Sequence, residues 1–175
     1  MTKTIRIGAA GIAMFAALGL SSAASAQETA EAEARAEILN PLTIVADGAL
    51  DFGRIITDGT GGTASMTSGG VLTCTTVLCL DAGTVPSFEV TGTSGKNGTV
   101  TVITPTLTID NGGPTPAVDE MEVSGVADSS GTVALAGAPG ALGTGTFTLG
   151  GLLTVRPNQN PGVYTGDLRV TVDYE

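Results

Sequence analysis

The chain lacks histidine and tryptophan, has only two cysteines among 175 residues, and is 3% aromatic. Without histidine, neither a Ser-His-Asp nor a Cys-His mechanism can be built. The usual zinc and haem ligand sets are missing too. Positive charge is scarce, with 7 Lys and Arg against 17 Asp and Glu and a formal net charge of −10. Such a chain repels phosphate backbones and has few rings to stack on bases, so nucleic acid is excluded as a partner. Disorder is a poor reading of the whole chain, because 42% of its residues are hydrophobic. We therefore expect a non-catalytic globular protein with no cofactor and no metal.

The longest uncharged apolar run is residues 7–20. It follows Lys3 and Arg6 and precedes Ala24-Ser25-Ala26, a small-x-small cleavage site. That order predicts a secretory signal peptide over residues 1–26. The run falls short of the roughly 20 residues that span a bilayer, so no stable membrane span is expected after cleavage. The protein is expected outside the cytoplasm, in the periplasm or at the cell surface. The remaining positive residues are Arg35, Arg54, Lys96, Arg156 and Arg169. In an oxidising compartment, Cys74 and Cys79 are expected to pair as a disulfide. Their spacing departs from the C-x-x-C of a redox-active pair, the other reading.

From residue 38 onward, short β-type runs alternate with turns. PLTIVA (41–46), LDFGRII (50–56), SFEVTG (87–92), TVTVI (99–103) and LTID (107–110) come first. MEVSGV (121–126), TVALAG (132–137) and FTLGGLLTV (147–155) follow. The last run, VYTGDLRVTVDYE, places Leu168, Val170, Val172 and Tyr174 on one face. Period-two alternation of this kind marks strands with one buried face. Regular spacing between turn signals predicts a single β-sandwich over residues 38–175. The Gly150-Gly151 pair suggests a bend or bulge. Asn97-Gly98 reads as a hairpin turn, and the glycine-rich stretch 59–70 as a loop or edge hairpin. Asp119, Glu120 and Glu122 read as a solvated acidic edge, since no calcium-ligand ladder surrounds them.

Residues 27–37 form an N-terminal extension with two readings. Its alanine and glutamate favour a short helix. Yet Ala30, Ala32, Ala34, Ala36 and Ile38 alternate strictly with polar residues, as in a strand with one small apolar face. A charged linker is the third reading.

AEAEARAEILNPLTI, LDFGRI, FTLGGLLTV and NQNPGVYTGDLRVTVDY together resemble a family of bacterial secreted domains of unknown function. That family has a pilin-like, immunoglobulin-type antiparallel β-sandwich and is similar to chaperone–usher fimbrial subunits, including the archaic, spore-coat-like branch. Tyr174 is penultimate and Gly162 is fourteenth from the end, both features of such subunits. The resemblance implies an assembly strand marked by Gly162, Leu168, Val170, Val172 and Tyr174. It implies a donor strand at Ala30, Ala32, Ala34, Ala36 and Ile38. The implied partners are a periplasmic chaperone, an outer-membrane usher and like subunits, joined by β-augmentation. The alternative expectation is a self-complete secreted adhesive or ligand-binding module.

Overall fold

The computed structural model describes residues 28–108, 117–123, 126–127 and 130–175. The expected signal peptide and its helix lie outside the described residues. All regular structure among the described residues is β, with no helix. No helix there is long and apolar enough to cross a membrane. The first strands are β1 (Thr43–Asp47), β2 (Ile55–Ile56), β3 (Gly62–Met66) and β4 (Leu72–Thr75). Next come β5 (Leu78–Cys79), β6 (Ser87–Thr93), β7 (Asn97–Ile103) and β8 (Ala117–Val123). The last are β9 (Val126–Ala127), β10 (Ser130–Ala134), β11 (Leu142–Val155) and β12 (Arg169–Tyr174).

The strands form antiparallel sheets. The larger runs β1-β6-β11-β3-β4, with β8 and β9 joined through β11. The second runs β10-β7-β12, and β2 pairs β5 in a small third sheet. Side chains from both main sheets meet in one core, including Val90 of β6, Val100 of β7, Val133 of β10 and Leu149 of β11. This arrangement is consistent with a β-sandwich. Phe88 and Phe147 sit opposite each other on β6 and β11, and their rings stack with centroids 5.0 Å apart. With so few rings, Val, Leu and Met fill most of the remaining space.

The 14-residue β11 organises the larger sheet. Its first half pairs with β6 through Thr148, and its second half pairs with β3 from Gly151 onward. The ladder to β8 shifts register between Gly150 and Leu152, where the sequence suggested a bulge. A Cβ at Gly150 would run into the backbone of Met66, Thr67 and Ser68. Glycine therefore permits the close approach at which β11 changes partners.

Residues 59–70 hold β3 and the turn that leads into β4, a hairpin at the edge of the larger sheet as the sequence allowed, with Ala64 and Met66 of its inner strand buried. Two sequence expectations are corrected. Asn97-Gly98 opens β7. The turn lies earlier, at Ser94 and Gly95, where Gly95 takes φ +77°. The connection carries the chain from one main sheet to the other instead of closing a hairpin. LDFGRII is a strand only at Ile55–Ile56. Before it, Asp51 Oδ1 accepts the Gly53 N–H at 2.8 Å, and Gly53 takes φ +67°. This local side-chain turn outcompetes the extended ladder.

Residues 37–175 form one compact unit, and residues 28–36 belong to a separate one. Residues 28–36 are exposed and carry neither helix nor strand. Within them, Arg35 and Glu33 approach to 3.6 Å.

Candidate functional site

The two sides of the sandwich end differently. Beside β10, backbone hydrogen bonds between Ala136 and Thr144 join the chain after β10 to β11. On the opposite side, β1 pairs only with β6 and β12 only with β7 among the described residues. The amide of Glu175 donates to Asn97 at 3.3 Å. Antiparallel alternation then turns the odd-numbered residues of β12 toward β7. The backbone groups of Val170 and Val172 face the free edge. An edge of this kind is a template for another strand.

The side chains along this edge are only partly covered. Leu168, Val170, Val172 and Tyr174 pack against the core yet remain half-buried. Every residue of β1 is exposed. A cleft of about 1300 Å³ reaches one end of each edge, at Ala46 of β1 and at Arg169 of β12. Leu168, just before β12, and Phe88, Leu153 and Val155 also line it. The cleft therefore reaches core side chains.

One wall is the segment through Phe52, Arg54 and Asp81. Arg54 grips Asp81 twice, Nε to Oδ2 at 2.7 Å and Nη2 to Oδ1 at 2.9 Å. The Arg54 amide adds a third bond to Oδ2 at 3.1 Å. Hydrogen bonding from the guanidinium holds the Asp81 carboxyl down at about 2. Next to this clamp, Ile55 pairs with Cys79 across β2 and β5. Cys79 is bonded to Cys74, with Cα atoms 6.2 Å apart. The expected disulfide is therefore present, and it ties β5 back to β4.

The loop after β11 forms another part of the lining. Gly162 and Tyr164 line the cleft from it. The Tyr164 hydroxyl donates to the Asn160 carbonyl and accepts from Gln159 Nε2, both at 2.7 Å. This tether shapes the loop locally. Val163 stands 82% exposed on it.

Tyr174 locks the far end of the free edge. Its hydroxyl donates to the Asn40 carbonyl and accepts the Thr93 N–H, both at 2.7 Å. A Cβ at Gly92 would lie 2.5 Å from that hydroxyl, so the space Tyr174 uses exists because residue 92 has no side chain. Lys96 and Glu37 form an ion pair near the same end.

The structure thus brings Gly162 and Leu168 to the cleft and places Val170, Val172 and Tyr174 along one free edge. Ala30, Ala32, Ala34 and Ala36 lie in the separate exposed unit, and Ile38 is 92% exposed. Sequence reasoning missed Phe52, Arg54 and Asp81 as a cleft wall. The available signal was D-F-G-R, where an Asx turn and a left-handed glycine bend the chain inward. No group of three or more His, Cys, Asp or Glu able to hold a metal occurs among the described residues.

A family model for a domain of unknown function, DUF4402, matches residues 42–174. The chain belongs to this family. The DUF4402 match runs from the residue before β1 to the last residue of β12. It takes in both free edges and the cleft, and it leaves out residues 28–41. No curated protein and no solved structure matches the chain.

Proposed function

We propose that this DUF4402 domain is an extracytoplasmic, non-catalytic assembly module that works by β-strand complementation. On this reading it is an immunoglobulin-like sandwich of the pilin type with one strand position open. A partner strand adds beside β12 and sends alternate side chains into the cleft. The observation that carries the reading is the free β12 edge beside a cleft that reaches core residues. Main-chain hydrogen bonds to Val170 and Val172 supply affinity, and the cleft supplies register. The signal-peptide pattern and the disulfide support an oxidising compartment. The fimbrial resemblance supports a chaperone, an usher or a like subunit as the source of the strand.

The test is an array of extended peptides with alternating apolar residues, probed with the mature chain. Retention that is lost when alternate peptide nitrogens are methylated supports strand addition. Retention indifferent to methylation overturns it. Retention of glycans alone, by a monomer, supports a self-complete adhesive module instead.

A further inference from the structure

We infer that the strand this cleft accepts is basic, carries bulky alternate side chains and belongs to a different protein, not to residues 28–38 of a second copy. The inference rests on the strand-acceptor reading and specifies the partner.

Size is the first argument. The small apolar face of the chain's own extension is Ala30, Ala32, Ala34 and Ala36. Each offers a single methyl group. Four methyl groups bring little apolar surface to a cleft whose lining includes Phe88, Leu153 and Val155. Half-buried Leu168, Val170 and Val172 would gain little cover from them. Leucine, isoleucine or phenylalanine at the same spacing would reach Phe88 and Leu153, because alternate residues of an added strand share one face.

Charge is the second argument. Residues 38–175 carry four basic residues, Arg54, Lys96, Arg156 and Arg169, against 13 acidic ones. Arg54 is already held by Asp81. The extension adds Glu28, Glu31, Glu33 and Glu37 against Arg35 alone. Two acidic surfaces repel over about a Debye length, roughly 10 Å at moderate salt. At the cleft, with Arg54 held by Asp81, the remaining charged lining residues are Asp51 and Asp167 against Arg169, so the local balance also favours a basic strand. The family match supplies a third point. It covers the acceptor from residue 42 and leaves the extension out.

The test uses the mature full chain and three fluorescent peptides read by anisotropy. The first has the chain's own sequence over residues 28–39. The second carries Ala30→Leu, Ala32→Leu, Ala34→Leu and Ala36→Leu. The third adds Glu31→Lys, Glu33→Lys and Glu37→Lys. Amide exchange at Val170 and Val172 reports where the peptides bind. The second peptide is expected to bind at least about tenfold tighter than the first, given three extra carbons at each buried position. The third is expected to bind tighter still, by a margin that shrinks as salt rises. Binding of the first peptide as tightly as the second overturns the inference and leaves strand acceptance standing. So does a third peptide weaker than the second. If no peptide protects Val170 or Val172, the strand-acceptor reading fails, and the inference fails with it.

Discussion

The two sides of the sandwich use similar residues and reach different ends. Near β10, Leu135 is 1% exposed, and the chain beyond it bonds to β11. Near β12, Leu168 is half-buried and borders a cleft. In β7 the inward residues Val100 and Val102 are buried, whereas their register partners Val172 and Val170 are only half-buried. Alternation is equally good in both strands. What differs is the next layer, which β7 has on both sides and β12 has on one. A strand pattern therefore sets which face turns inward, and neighbours set how dry that face becomes.

The comparison can be broken most directly with one substitution on each side. Leu135→Ala should cost about 2–5 kcal/mol in urea unfolding, as for a fully buried leucine. An equal loss from Leu168→Ala would erase the distinction between the two sides. Removing the disulfide with Cys74→Ser and Cys79→Ser should cost at most about 2 kcal/mol, because the closed loop is short. The same double variant sharpens the comparison if amide exchange rises along β2 and β5 and stays low in β7 and β10. Tyr174→Phe should cost about 1–2 kcal/mol, since the Thr93 amide and Asn40 carbonyl both lose a partner. Leu168→Ala should cost about 1 kcal/mol in the free protein, less than its buried counterpart.

The smallest effect is expected with acid. Asp81 is held near 2 by Arg54, against an ordinary value near about 4. Its folded value is depressed, so its contribution is complete above pH ~4 and is lost as pH falls toward ~2. Both partners are exposed, which keeps the contribution small. Asp81→Asn should flatten the stability profile in that window and leave the region above it unchanged in slope. A profile identical to that of the parent chain would show that the clamp contributes nothing to folding.

Much of this was legible in the sequence. The strands β6, β7 and β12 announce themselves through strict alternation, the second part of β11 through the apolar run FTLGGLLTV, and the cysteine pair through compartment and spacing. β3 was legible only as a loop or edge hairpin, because its buried residues are Ala64 and Met66, set among Gly, Thr and Ser, without a β-branched run to mark a core strand. Asn97-Gly98 misled because a favourable turn pair also fits a strand when the glycine is needed for packing. A Cβ at Gly98 would come within 2.7 Å of Val172 Cγ1. The strand-edge residues could be named in advance because they follow one another in the chain. The cleft could not, because Arg54, Asp81 and Tyr164 come to line one space only after three separate segments have packed.

Tyr174 has a further consequence. Its bond to the Asn40 carbonyl joins positions 134 residues apart, just before the first strand and at the end of the last. A tension applied at these two positions loads this hydroxyl, together with the bond from the Asn40 N–H to Thr93 Oγ1 at 2.7 Å, before it loads the core. Behind the hydroxyl, β1 and β12 each hang on a single ladder, while β11 is held on both flanks. Under load, the domain has a weak latch in front of a strong spine. Stretched, it should yield first at the edge where a partner strand would sit, and a seated strand should make it stiffer.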